Sequence, residues 1–204
     1  MKKKVVLVAH RGKGPTSKYT EPPENLWNSC YRSGLLRNNI VPQKILIENG
    51  LGLPEHIPPE NTIAAFRRGL EEGADAIELD IFISKDRVPM AIHDDELNRN
   101  VSGARRKATK PEDAGYLGMV RDFTAMELKQ FDMWNGHKIP TLSEVIDFVA
   151  VFNKLRTIKN QSHIILNIEF KDTTEGNVER TIEVITEAVK EGKIIKSNVI
   201  YCSF

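Results

Sequence analysis

The chain has 204 residues, with 29 Lys and Arg against 28 Asp and Glu and a formal net charge of +1. That length supports one sizeable core, and the near-zero charge offers no electrostatic case for nucleic acid or an anionic membrane as a partner. Only two cysteines, Cys30 and Cys202, are present, too few and too far apart for a disulfide framework or a zinc site, so reduced thiols and a cytoplasmic location are expected.

Residues 5–9, Val5-Val6-Leu7-Val8-Ala9, are apolar and mostly β-branched, the pattern of a strand buried on both faces. The run stops at His10-Arg11-Gly12, too early for an export signal. No stretch approaches the ~20 apolar residues of a membrane span, so no stable membrane anchor is expected. From 13 to 57 the pattern weakens among prolines, glycines and asparagines, with a short helix read at 26–35 and a strand at 44–47. A connection of that length is functional or disordered.

Pro58-Pro59-Glu60-Asn61-Thr62 opens a helix with Ile63, Phe66 and Leu70 on its apolar face and Gly73 as its stop. A strand follows at 76–83, a turn at 85–87, and a strand at 88–92 that ends at His93-Asp94. Residues 95–138 read as polar and irregular, with one short helix at 124–131. An amphipathic helix is expected over 141–155, capped by Thr141 or Ser143 with Glu144 in its first turn. A strand at 164–170, a helix at 178–190 and a last strand at 198–204 complete the alternation. Strand and helix in alternation imply a parallel α/β sheet or barrel.

The strand at 76–83 carries Glu78 and Asp80, two residues apart and therefore on one face. Two buried like charges side by side require a cation or strong donors. In α/β folds the polar residues that do chemistry gather at the carboxyl ends of the strands. Here successive strands end in or carry His10 and Arg11, Glu78 and Asp80, His93 and Asp94, and Glu169 and Lys171. Three carboxylates suit a hard cation such as Mg²⁺ or Ca²⁺, whereas zinc would draw more nitrogen or sulfur. Arg11 and Lys171 beside that cation make a place for phosphate oxygens, and two histidines can serve as acid and base across a leaving group. The sum is a metal-assisted phosphate ester hydrolase. His56, His137 and His163 read as surface residues, and Trp27 and Trp134 as loop residues.

The motifs His10-Arg11-Gly12, Pro59-Glu60-Asn61-Thr62, Glu78-Leu79-Asp80, His93-Asp94 with Leu97 and Arg99, Ile139-Pro140-Thr141-Leu142, Glu169-Phe170-Lys171 and the ending Ser203-Phe204 stand in this order. In this order they resemble the glycerophosphodiester phosphodiesterase family, over residues 4–12 and 58–204. The resemblance implies a single domain over 1–204 with a TIM-type (β/α)₈ barrel fold and glycerophosphodiester substrates cleaved to glycerol 3-phosphate and an alcohol. It implies His10 and His93 as the acid–base pair, and Glu78, Asp80 and Glu169 as ligands of a divalent cation. It implies Arg11 and Lys171 as phosphate contacts, and Glu60 and Asn61 at the edge of the site. For His93, proton transfer and metal contact both remain open at this level.

Two departures stand out. Residues 13–57 form an insertion between the first strand and first helix, either a lid that selects the head group or a surface excursion. The sequence reads as about the first five β/α units, whereas a barrel of this type has eight in typically ~250 residues. Unclosed barrel edges imply self-association. The competing readings are a lysophospholipase D-like phosphodiesterase acting on a lipid, and an inactive truncated relative that only binds phosphodiesters.

Overall fold

The structure is a computed structural model and describes residues 8–11, 58–101, 117–133 and 136–203. The expectations for 5–7, 12, 26–35, 44–47, Trp27, His56, Trp134 and the side chain of Arg99 lie outside the described residues.

Parallel strands β1 (Val8–Ala9), β2 (Ala76–Ile83), β4 (Ile165–Phe170) and β5 (Val199–Cys202) line up in the order β1-β2-β4-β5. That order follows the chain with no reversal, the winding of a barrel rather than of a doubly wound sheet. Helix α1 (Ile63–Glu71) connects into β2, α4 (Leu142–Ile158) precedes β4, and α5 (Asn177–Lys190) lies between β4 and β5. This is part of a TIM-type barrel, as expected.

One element differs from the sequence reading. The strand at 88–92 is not a parallel barrel member. As β3 (Pro89–Ala91) it folds back antiparallel on the end of β2, pairing Ile81 with Ala91 and Ile83 with Pro89. The turn Lys85-Asp86-Arg87 is too short for a parallel crossover, which needs a dozen or more residues, so only a hairpin is open to it. Among the described residues four parallel strands are therefore present, not five, and β2 pairs directly with β4.

The described residues of the segment after β3 are also more ordered than their polarity implied. Short helices α2 (Leu97–Asn100) and α3 (Ala125–Leu128) and a 3₁₀ turn at Val120–Asp122 fold over β3. Met90, Ile92, Leu97, Val120, Leu128 and Ile139 are all essentially buried there and form a small core of their own.

Alternation along the strands divides the residues between two faces. Ile77, Leu79, Ile81, Leu166 and Ile168 pack against Phe66 of α1, Val145 and Val149 of α4, and Ile185 of α5. The opposite face, which looks into the barrel, carries Glu78 and Asp80 on β2, Asn167 and Glu169 on β4, and Ile200 and Cys202 on β5.

Local chemistry sets the helix starts. Thr62 caps α1 by accepting from the Ala65 N–H at 3.2 Å. Thr141, the first of the two predicted caps, accepts from the Glu144 N–H at 3.1 Å while the Glu144 carboxylate accepts from the Thr141 N–H at 2.9 Å. At the other end of α4, Asn153 accepts from the Ile164 N–H at 2.8 Å and Arg156 bridges to Asp75 at 3.1 Å. These bonds tie α4 to the starts of β2 and β4 and fix the strand register beneath the site.

Candidate active site

The strand pairing assembles the acidic cluster. Asp80 and Glu169 are direct cross-strand partners, and Glu78 lies two residues before Asp80 on the same face. One oxygen from each of Glu78, Asp80 and Glu169 falls within 4.8 Å of the others, and all three residues are buried. Around them, Arg11 and Lys171 supply positive charge. The Arg11 backbone N–H donates to Glu78 Oε2 at 2.8 Å, and its guanidinium donates to Glu60 at 3.2 Å and pairs with Asp80 Oδ2 at 3.3 Å. Lys171 Nζ contacts the Glu169 carboxylate and lies 3.3 Å from Asp80 Oδ1. Asn61 donates from Nδ2 to Asp80 Oδ2 at 2.9 Å and accepts from the Asp80 N–H at 3.2 Å.

Both histidines named from the sequence stand at this rim. His10 Nε2 lies 3.6 Å from Glu78 Oε2. His93 arrives on the β3 arm, whose Ile92 N–H donates to the Asp80 carbonyl at 3.0 Å. The His93 ring is held by Asp94, with Nδ1 2.5 Å from Oδ1. His163 is at the opposite end of β4, away from the rim, and bonded to Thr157 at 2.8 Å.

The electrostatics record the crowding of carboxylates. Burial first, and then the charge of Asp80, push the Glu78 carboxyl up from 4.5 to about 7. Burial and the Arg11 guanidinium lower the pKa of His10, and the charge of His93 adds to that effect. For Lys171 burial disfavours the ammonium, but the carboxylates of Glu169 and Asp80 outweigh it and raise its pKa. Burial and the neighbouring carboxylates likewise push the Cys202 thiol up.

The donor set fits a hard divalent cation. Among the described residues the buried carboxylates of Glu78, Asp80 and Glu169 converge beside two permanent cations, Arg11 and Lys171. The buried Oδ1 of Asp80 has no hydrogen-bond partner and lies on the side of Glu169 and Lys171. Oxygen-only ligands in this number are the chemistry of Mg²⁺ and Ca²⁺ rather than of zinc.

The sequence model of the glycerophosphoryl diester phosphodiesterase family matches residues 52–204. The chain belongs to that family. A glycerophosphodiester phosphodiesterase of Caldanaerobacter subterraneus subsp. tengcongensis is 35% identical over 147 residues, covering 69% of this chain and 52% of that protein. The human glycerophosphodiester phosphodiesterase 1 is 27% identical over 158 residues, covering 73% of this chain and 40% of that protein. A structure of an Oleispira antarctica phosphodiesterase in complex with the product sn-glycerol-3-phosphate has a TM-score of 0.57 at 23% identity, covering 98% of this chain and 57% of that one. That likeness supports the barrel fold. The chain spans about half the length, or less, of these relatives.

Within the glycerophosphoryl diester phosphodiesterase domain, two contacts escaped the sequence reading. Asp94 was seen beside His93 but given no task, although a carboxylate next to a histidine at a strand end is a signal for ring orientation. Asn61 was placed at the edge, whereas it is fully buried against Asp80. Arg11 and Lys171, read as phosphate contacts, are brought together with the carboxylates.

Proposed function

We propose that this domain is a metal-dependent phosphodiester hydrolase that cleaves glycerophosphodiesters to glycerol 3-phosphate and an alcohol. The carrying observation is the convergence of Glu78, Asp80 and Glu169 within 4.8 Å of one another, beside His10 and two cationic side chains. The names of the relatives, and the product bound in the Oleispira antarctica phosphodiesterase, support the substrate class.

Glu78, Asp80 and Glu169 would hold Mg²⁺ or Ca²⁺, which supplies charge neutralisation of the phosphate oxygens. Arg11 and Lys171 add positive charge on the same side and orient the phosphate. His10 and His93 divide the proton transfers: one deprotonates the attacking hydroxyl or water, the other protonates the departing alkoxide. The Asp94 carboxylate fixes the His93 ring through Nδ1. The attacking group is water or the neighbouring glycerol hydroxyl of the substrate, the latter passing through a cyclic phosphate. No helix among the described residues is long and apolar enough to cross a membrane. We place the reaction in the cytoplasm, where Cys202 remains a free thiol.

The test is release of glycerol 3-phosphate from glycerophosphocholine with Mg²⁺ or Ca²⁺, by wild type and by His10→Ala, with lysophosphatidylcholine as the lipid alternative. Turnover by wild type that is lost in EDTA and in His10→Ala is the expected result. Turnover that survives both would refute the mechanism.

A further inference from the structure

Asn61 has no part in the proton transfers or phosphate contacts above, yet it is fully buried at the centre of the site. Its polar groups are committed on three sides. The backbone N–H donates to the Arg11 carbonyl at 2.9 Å, Nδ2 donates to Asp80 Oδ2 at 2.9 Å, and Oδ1 accepts from the Asp80 N–H at 3.2 Å. Its φ of +54° is in the left-handed region, where asparagine is tolerated far better than most side chains. Arg11, its hydrogen-bond partner, is left-handed too, at +51°. The end of β1, the start of α1 and the middle of β2 are thus joined through one carboxamide and one backbone bond.

The bonding separates the two oxygens of Asp80. Oδ2 accepts a hydrogen bond from Nδ2 of Asn61 and is ion-paired with Arg11 Nε at 3.3 Å, while Oδ1 accepts no hydrogen bond and is ion-paired with Lys171 Nζ at 3.3 Å. The terminal torsion of an aspartate is broad and roughly two-fold, so an untied carboxylate turns freely. A carboxamide is the side chain that both donates to the carboxylate and accepts from the backbone N–H of the same residue.

We propose that Asn61 is a positioning residue that clamps the Asp80 carboxylate so that it offers Oδ1 alone to a bound cation. This rests on the reading of Glu78, Asp80 and Glu169 as the cation site. Single-oxygen contact suits the strict six-coordinate geometry of Mg²⁺. Release of the clamp allows two-oxygen contact, which the larger and more loosely coordinated Ca²⁺ accommodates. Asn61 therefore sets the preference between the two ions as well as the affinity.

The experiment is calorimetric titration of the 204-residue chain with Mg²⁺ and with Ca²⁺ in the absence of substrate, paired with unfolding midpoints. Asn61→Gly keeps the left-handed backbone and its bond to Arg11 and removes only the carboxamide. Asn160→Gly, at an exposed residue with φ of +53°, makes the same change away from the site as a control. Asn61→Ser is the fallback with a smaller perturbation should Asn61→Gly not fold. Asn61→Gly is expected to weaken Mg²⁺ about 10- to 100-fold, the usual cost of losing a group that orients a metal ligand, and Ca²⁺ distinctly less. Asn160→Gly is expected to leave both affinities unchanged. Equal losses for the two ions, or unchanged Mg²⁺ affinity in a folded variant, would overturn the clamp while leaving the cation site standing. A folded wild type that binds neither ion overturns the cation site itself, and the clamp with it.

Discussion

Glu78, buried and pushed up to about 7, gives the folded chain a pH dependence opposite in sign to that of an ion-paired surface carboxylate. Below about pH 4.5 the group is protonated in both folded and unfolded chains and contributes nothing. Between there and about pH 7 the unfolded chain releases the proton while the folded chain keeps it, so stability falls as pH rises. Above about 7 the penalty is complete. A shift from 4.5 to about 7, at ~1.4 kcal/mol per unit, makes that penalty on the order of 3 kcal/mol. Glu78→Gln keeps an acceptor for the Arg11 N–H and removes the charge. In urea titrations with EDTA, the variant should gain about 2–3 kcal/mol on wild type as pH is raised from about 5 to about 8. Mg²⁺ at about 100 times its Kd should return ~2.7 kcal/mol to wild type at the upper pH, and clearly less to the variant. A difference between the two proteins that does not change with pH would refute the reasoning, because it would mean Glu78 ionises normally despite its burial and Asp80.

Two further consequences follow from the same geometry. Asp94→Asn, which leaves His93 Nδ1 without its carboxylate 2.5 Å away, should lower kcat about 100-fold or more with little change in KM; steady-state rates on glycerophosphocholine check this, and an unchanged kcat would remove Asp94 from the mechanism. Among the described residues β1 and β5 are the edge strands and expose Val8, Ile200 and Tyr201, so the chain should self-associate through them. Light scattering over a range of concentrations reads this directly, and a sharp, concentration-independent monomeric unfolding transition would count against it.

Much of the framework was legible in the residues because it depends on local rules. The run 76–83 reads as a strand by composition, and the period of two places Glu78 and Asp80 on one face whatever lies beside them. Thr141 followed by Glu144 marks the start of α4 because a hydroxyl and a carboxylate three residues apart satisfy each other's backbone N–H groups. The alternation of strands and helices pointed to a parallel α/β sheet or barrel, and the ordered motifs to the family and its barrel, before any contact was known.

What only the tertiary structure decided is which strands touch. Residues 88–92 read as a barrel strand by composition, and a parallel strand there would separate Asp80 from Glu169 by two strand spacings, roughly 9–10 Å. Because the three-residue turn sends β3 back antiparallel along β2, β4 takes the place beside β2 and sets Glu169 directly opposite Asp80. The same pairing carries His93 to the rim on a hairpin arm, and β1 beside β2 brings Asn61, bonded to the Arg11 carbonyl, onto Asp80. Strand content follows from side-chain composition; strand adjacency follows from backbone hydrogen bonds between distant segments, and it is adjacency that turns separate acids into one cation site.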